Sequence, residues 1–439
     1  MPLLYQWYDI RDLSYAVEQL LEWIGDWGPH WLVYLISALI GGAAIFGLAA
    51  GTAIFNVWLE RRAIGRIQAR LGPNRLGPFG LIQPVADMLK LMLKEALFPR
   101  RWDKALFLLA PIVVYIPAIQ VFAGFPGGGG VAFGDLNVGV LYVLAVSSVG
   151  AIGVFMAGWS SNNKFSLISS MRVIAMLVSY EIPMVLTLLA VVLFAGTMSL
   201  SGIVEWQHDY RLPLIILQPL ALFIYLFSAT AELNRTPTDI AEAVSEIVAG
   251  YNIEYSGMRF GLFYAVELVN AVAISGIVAT LFFGGWWLFG LDRWIPGWMI
   301  FLGKLYAFYM VLIWLRGTLP RLRIDQLLGF AWKILLPLAL VNVFLVAVEV
   351  LVWEEYELSA AVVLPVFAVV NVVLTGALVV AWTKLMSFHF EKLPKAAVLV
   401  SDGGLVFAQH APPAPAARRS WAPAPAPAVE EVGGGSGAA

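Results

Sequence analysis

Two long apolar segments flank the stretch Asp239-Ile-Ala-Glu-Ala-Val-Ser-Glu-Ile-Val-Ala-Gly-Tyr-Asn-Ile-Glu254, which carries four carboxylates and no basic residue. If it is helical, Asp239, Glu242 and Glu246 fall on one face at positions i, i+3 and i+7. Like charges on one face repel, and burial disfavours their ionised forms, so the spacing favours carboxylates that share or relay protons. The spacing equally fits a solvated connecting loop whose acids all face water.

The composition around this stretch is that of an integral membrane protein. The chain is 60% hydrophobic and 13% charged, whereas soluble domains are about 45–50% apolar and about 25% charged. A bilayer-spanning helix needs roughly 20 apolar residues. Nine stretches qualify, near 31–58, 105–124, 138–158, 173–196, 212–231, 260–289, 298–317, 332–353 and 359–385. We therefore predict an all-α membrane protein with about nine transmembrane helices.

The distribution of Lys and Arg predicts the orientation. Loop 59–104 carries ten basic residues, and further ones follow on the same side by alternation, whereas the opposite loops keep chiefly Arg211 and Arg293. The positive-inside rule then puts the long loops and the C-terminal tail in the cytoplasm and the N-terminus outside. Residues 1–30 hold many aromatic side chains and one basic residue, Arg11, which predicts an interfacial segment rather than a cleavable signal.

Loop 59–104 also contains a predicted amphipathic helix from Leu81 to Ala96. Gln83, Asp87, Lys90 and Lys94 share one stripe, and apolar residues occupy the other side. Such a helix is too polar to span and suits the membrane interface. It either anchors the surface or forms the floor of an opening to the lipid phase.

The counts of several residue types limit the chemistry that this chain can perform. The chain has no cysteine, so it cannot itself form disulfides, thiolate metal sites or iron–sulfur clusters. Its four histidines are scattered, and the run Gly127–Gly130 has no following lysine, as a phosphate cradle would. We expect no iron–sulfur cluster or metal bound by this chain, no nucleic-acid partner and no catalytic residue of its own. Redox chemistry is then left to partner chains or a bound small molecule.

Ionisable residues at membrane depth are functional candidates. Glu181 lies inside the fourth span beside Pro183, whose kink opens room for water. Glu267 lies early in the sixth span, and Glu232 ends the fifth, with Arg235 as its expected partner. Glu349 is expected to reach the outer interface. Each carboxylate could instead have a structural role.

Basic residues near the cytoplasmic ends of the spans allow two interpretations. Arg62, Arg66 and Arg70 recur at i, i+4 and i+8 just after the first span. They could anchor lipid phosphates or line a polar route for an anionic or quinoid headgroup. A similar cluster follows the seventh span and contains Arg316, Arg321, Arg323 and Asp325.

Several blocks resemble the H subunit of NADH–quinone oxidoreductase, or respiratory complex I. The longest runs from Leu59 through Glu-Arg-Arg-Ala-Ile-Gly-Arg to Gly80 and on to Glu95. The others are Val178–Pro183, Ala231–Pro237, Ala249–Gly257 and Leu319–Gln326. Together they cover about residues 30–350 in the family's order.

The resemblance implies a protein that forms the membrane part of the quinone cavity and the start of the proton-translocating path. Its amphipathic helix and first span would frame the entrance from the lipid. Its partners would be quinone, lipid and the other membrane-arm and peripheral-arm subunits. Those other subunits, and not this chain, would hold the flavin and the iron–sulfur clusters. The implied cavity residues are Arg61, Arg62, Arg66, Asp87, Lys90 and Arg235. The implied proton-path residues are Glu181, Glu232, Asp239, Glu242, Glu246, Glu254 and Glu267.

The implied organisation has an interfacial segment at 1–30 and an eight-span core at 31–353. That core includes the amphipathic loop 59–104 and the acidic loop 232–258. A ninth span at 354–390 and a disordered Pro/Ala/Gly-rich tail at 391–439 follow. The location would be the bacterial plasma membrane.

Three positions depart from the family pattern. Val244 replaces an acid, Thr238 replaces an aromatic residue, and the usual glutamine before Ser179 is absent from Ala175-Met-Leu177. Three alternatives stay open: the equivalent subunit of a ferredoxin-fed or other related redox complex, a stand-alone ion transporter, and a purely structural anchor for the peripheral arm.

Overall fold

A computed structural model describes residues 30–128, 131–132, 136–240, 250–290, 294–357, 359–390, 397–401 and 404–408. The chain divides into one unit that ends at Thr375 and a second that begins at Gly376. Most of the predicted N-terminal interfacial segment lies outside the described residues. So do Glu242, Val244 and Glu246 of the acidic loop.

Thirteen α-helices are described in these ranges. In chain order they are α1 (His30–Ile67), α2 (Gln83–Leu93), α3 (Lys104–Gln120), α4 (Gly139–Ser160), α5 (Lys164–Ala195), α6 (Leu200–Tyr210), α7 (Leu214–Leu217), α8 (Pro219–Glu232), α9 (Met258–Leu281), α10 (Gly297–Thr318), α11 (Ile324–Phe330), α12 (Leu336–Glu355) and α13 (Ala360–Phe390). A π-helical turn, Ala331–Leu335, joins α11 to α12. Strands β1 (Pro126–Gly128) and β2 (Val131–Ala132) pair in the loop before α4.

The prediction of an all-α multi-pass membrane protein is confirmed. Eight helical segments among the described residues are long and apolar enough to cross a bilayer, and α8 is a shorter apolar helix. The predicted interfacial helix is present as α2, which leaves Leu89, Met92 and Leu93 exposed. It ends before Lys94, whose backbone is extended.

The predicted span over 212–231 is divided into two helices. The segment forms α7 and α8, which are separated at Gln218 with φ −132° and ψ 59°. Pro219 lacks an amide hydrogen and disfavours the helical conformation of the residue before it, which explains the break. The Gln218 side-chain amide donates to the carbonyl of Ala190 at 3.1 Å and so ties the break to α5.

Helix α9 lies at the centre of the first unit. Nearly every side chain from Val266 to Leu281 is buried, and α9 packs against α1, α2, α3 and α10.

Close packing of the neighbouring helices depends on small residues. A Cβ atom on Gly153 of α4 would lie 2.3 Å from Val114 of α3, and one on Gly158 would lie 2.3 Å from the Cβ of Ser170 of α5.

Part of the tail that the sequence predicts to be disordered forms regular structure in the second unit. Strands β3 (Ala397–Ser401) and β4 (Gly404–Ala408) pair as an antiparallel hairpin. Both runs are rich in Val, Leu and Phe, which fit paired strands, and the sequence between them is the turn dipeptide Asp402-Gly403. Residues 409–439 lie outside the described part of the chain.

Candidate functional site

A cavity of about 300 Å³ lies between α1, α2 and α9. Its walls are mainly apolar, and its polar lining comes chiefly from Arg61 and Asp87. The other lining residues include Ala50, Ile54, Met88, Leu91, Tyr115, Tyr264 and Leu268. We call this space the mouth cavity. The interfacial helix and the first span therefore enclose a ligand-sized space.

The charges at the mouth cavity form a short network. Arg61 Nη1 lies 2.5 Å from Asp87 Oδ2, and Lys90 Nζ lies 3.5 Å from Asp87 Oδ1. Gln83 Nε2 also donates to Asp87 Oδ1, at 3.3 Å. Burial opposes ionisation of Asp87, but the hydrogen bonds and positive charges around it lower its pKa below the ordinary value. Asp87 thus lies between two cations, of which Arg61 lines the cavity and the predicted cavity residue Lys90 does not.

Two other predicted cavity residues, Arg62 and Arg66, line a different space. They face a cavity of about 630 Å³ with Trp58, Phe79 and residues of α10. Arg62 Nη1 donates to the carbonyl of Phe79 at 2.9 Å, and its guanidinium lies 5.4 Å from the centre of the Trp58 ring. Adjacent helical residues point about 100° apart. Arg61 and Arg62 therefore serve different cavities.

A buried ion cluster surrounds Glu60, which sequence reasoning missed. Glu60 is 3% exposed, and its Oε2 lies 3.2 Å from Nη2 of Arg235. Arg316 donates to Oε1, and the Tyr309 hydroxyl donates to Oε2 at 3.3 Å. The predicted pairing of Arg235 with Glu232 is therefore wrong. An acid directly before Arg61 and Arg62 looks like part of a surface run, and its burial depends on helices distant in sequence.

The Glu60 cluster interacts electrostatically with a residue of the mouth cavity and with a deeper acid. Tyr264, which lines the mouth cavity, interacts electrostatically with Glu60, Arg235 and Glu267. Burial opposes the charge of Arg235, but the charges of Glu60, Tyr309 and Glu267 raise its pKa above the ordinary value. Arg235 is therefore cationic and couples electrostatically to both Glu60 and Glu267.

Glu181, Glu232 and Glu267 line a third cavity together. They come from α5, α8 and α9, and the space between them is about 60 Å³. A cavity of at least roughly 10–15 Å³ with polar partners can hold a water molecule, so this one has room for several. Glu181 and Glu232 interact electrostatically, and Ser147 lies beside them. We call this space the glutamate cavity.

The remaining acids of the predicted path have separate partners. Asp239 Oδ2 lies 2.6 Å from Nη2 of Arg321, which follows the seventh span. Glu254 Oε1 accepts from Asn163 Nδ2 at 2.8 Å, at the start of α5. The two ends of the acidic loop therefore bind different parts of the bundle. The predicted common face of Asp239, Glu242 and Glu246 stays a prediction, because the last two residues lie outside the described part.

These features define a multi-pass membrane protein with ligand-sized, charge-rimmed cavities between its helices and carboxylates at membrane depth. Residues 40–347 match the family described as NADH dehydrogenase. The chain therefore belongs to that family, which confirms the resemblance drawn from the sequence blocks.

Three bacterial proteins that are similar to this chain are named as H subunits of NADH-quinone oxidoreductase. The protein of Dehalococcoides mccartyi strain CBDB1 is 49% identical over 341 residues, which are 77% of this chain and 92% of the relative. The protein of Brevibacillus brevis is 45% identical over 75% of this chain and 97% of its own length. An H subunit from Geobacter metallireducens, numbered 1, is 48% identical over 69% of this chain and 92% of its own length.

Proposed function

We propose that this chain holds the quinone and begins the proton path in a proton-translocating NADH–quinone oxidoreductase. The observation that carries the proposal is the mouth cavity, with apolar walls and the Arg61–Asp87 pair at its rim. A quinone joins an apolar tail to a ring with two carbonyl oxygens. Such walls suit the tail, and the guanidinium of Arg61 at the rim can donate to a carbonyl oxygen.

The groups behind the mouth cavity support a coupling path. Reduction of the quinone by a partner subunit would change the charge in the cavity. Tyr264, which lines the cavity, interacts electrostatically with Glu60, Arg235 and Glu267, and Arg235 interacts with both of these glutamates. Charge interactions across a few ångströms are strong where water is scarce. The carboxylates of the glutamate cavity would answer by taking up or releasing protons, with Asp239, Glu242, Glu246 and Glu254 contributing from the loop.

The proposal assigns the remaining roles to other chains. The flavin and iron–sulfur clusters belong to partner subunits, and this chain contributes no catalytic residue. The basic loops point to a cytoplasmic position for the interfacial helix, the docking side of the peripheral arm and the C-terminal tail. The N-terminus would then lie outside the bacterial plasma membrane.

A blocking substitution tests the quinone cavity directly. Ala50→Phe puts a phenyl ring into the mouth cavity, and Ala44→Phe puts the same ring on an exposed position of the same helix. We expect Ala50→Phe to raise KM for quinone, or abolish quinone reduction, while NADH oxidation by a hydrophilic artificial acceptor is retained. Ala44→Phe should leave both activities unchanged. Equal quinone kinetics in the two variants would contradict the proposed site.

A further inference from the structure

A basic cleft of about 940 Å³ opens where α3, α4 and α5 meet, away from the three cavities above. Its charged lining comprises Arg101, Lys104 and Lys164, with Asp103 as the one carboxylate. Trp102 and Trp159 supply its aromatic walls. Among the described residues, none of the three cations has a carboxylate partner within 4 Å. The cleft therefore carries a net positive charge that its own lining does not neutralise.

The walls of this cleft are held in place by their own contacts. Trp102 stacks on Phe98 at 4.8 Å and meets Phe107 edge-on at 5.1 Å. The amide of Asp103 donates to the carbonyl of Ser160 at 3.1 Å, which joins the start of α3 to the end of α4. Asn163 caps the start of α5 by accepting from the amide of Phe165 at 3.0 Å. A ligand would meet a largely preformed site.

The position of the cleft favours a lipid over a soluble anion. It lies at the ends of three membrane-spanning helices, and tryptophan is enriched at that level of a membrane. Leu108 and Ile168 lie one turn further along the helix than Lys104 and Lys164 and are 43% and 51% exposed. Residues four apart share a helix face. The cations are thus followed by apolar surface on which acyl chains can lie.

We propose that this basic cleft binds the phosphate headgroup of an anionic phospholipid, with the acyl chains running along α3 and α5. The guanidinium of Arg101 and the ammonium groups of Lys104 and Lys164 would contact the phosphate, and Trp102 and Trp159 would flank the glycerol region. The site is independent of the proposed quinone cavity, because none of its lining residues lines the mouth cavity.

The test uses the purified oxidoreductase assembly in nanodiscs that contain a photoactivatable phosphatidylglycerol or its phosphatidylcholine counterpart. We expect the phosphatidylglycerol probe to label peptides that contain residues 101–104 and 159–167 well above the phosphatidylcholine probe. An Arg or Lys near a membrane surface contributes about fivefold to binding of anionic lipid. In the triple variant R101Q/K104Q/K164Q, the ratio of phosphatidylglycerol labelling to phosphatidylcholine labelling should therefore fall at least about tenfold.

A matched triple variant removes equal charge elsewhere. R75Q/K94Q/K333Q changes three exposed basic residues outside the cleft and should keep the labelling of the wild-type assembly. Equal labelling by both lipids in the wild-type assembly would overturn the proposal without any variant. Full competition by inorganic phosphate would assign the cleft to a free anion instead, and crosslinks to another protein in place of lipid would assign it to a protein interface. The quinone kinetics of Ala50→Phe do not bear on these outcomes.

Discussion

The carboxylate of Glu60 and the guanidinium of Arg235 lie 3.2 Å apart, and both side chains are almost completely buried. One residue lies near the end of the first span and the other follows the fifth, so the pair joins distant parts of the chain. Arg316 of α10 also binds Glu60. A single carboxylate thus lies between two guanidinium groups and offsets one of their two positive charges in a buried region.

We expect Glu60→Gln to destabilise the assembly strongly. Removing one partner of a buried ion pair costs about 3–5 kcal/mol, because the other partner keeps its charge without compensation. The measurement is thermal unfolding of the purified assembly. The loss of stability in the double variant Glu60→Gln/Arg235→Gln should be smaller than the losses in the two single variants added together. Strict additivity would mean that the two groups do not interact.

Helix packing gives a sterically defined prediction. In Gly153→Ala the new Cβ would meet Val114 at 2.3 Å, whereas nothing lies within 4 Å of a Cβ at Gly150 on the same helix. Overpacking a close contact costs about 1–3 kcal/mol. We expect a lower melting temperature for Gly153→Ala and no such decrease for Gly150→Ala. A comparable melting temperature for both variants would argue against the close α3–α4 contact.

The glutamate cavity predicts a separation between electron transfer and proton pumping. Glu267→Gln keeps the shape of the side chain but removes its proton exchange, so the number of protons pumped per NADH oxidised should fall. NADH oxidation by an artificial acceptor should persist, which reports intact assembly. The control is Glu205→Gln, an exposed carboxylate on α6.

NADH oxidation by quinone and by an artificial acceptor, measured in membrane vesicles, tests Glu242→Gln in the acidic loop. We expect reduced quinone-dependent activity, since Glu242 would answer the charge change in the cavity. Unchanged quinone activity would remove Glu242 from the coupling path. For Glu267→Gln, an unchanged number of protons pumped per NADH oxidised would remove the glutamate cavity from the coupling path.

The ninth span offers a further prediction. The sequence predicts that Glu349 reaches the outer interface, but Glu349 is 8% exposed and accepts from Asn371 Nδ2 at 3.1 Å, so α12 binds α13 inside the apolar region. Hydrogen bonds between membrane helices contribute on average about 0.6 kcal/mol and at most about 1.7 kcal/mol. Asn371→Leu should therefore lower the melting temperature modestly. Glu354→Leu, at an exposed position beyond this contact, should leave the melting temperature unchanged.

The sequence by itself determined the class of this protein. Long apolar runs need lipid around them, and backbone hydrogen bonding in lipid permits helices, so most of the spans and their order could be predicted. The helical spacing of polar residues in Leu81–Ala96 likewise predicted the interfacial helix, and their position within apolar runs marked Glu181 and Glu267 as candidates. These features depend on residues close together in the chain.

Only the tertiary structure decided which charged groups meet. The approach of α1, α8 and α10 placed Glu60 against Arg235 and Arg316, and the packing of α5, α8 and α9 brought Glu181, Glu232 and Glu267 to one cavity. Helical rotation sent Arg61 and Arg62 to different cavities. A charge pattern in one segment cannot specify partners from another segment, because the distance between them is set by how the helices pack.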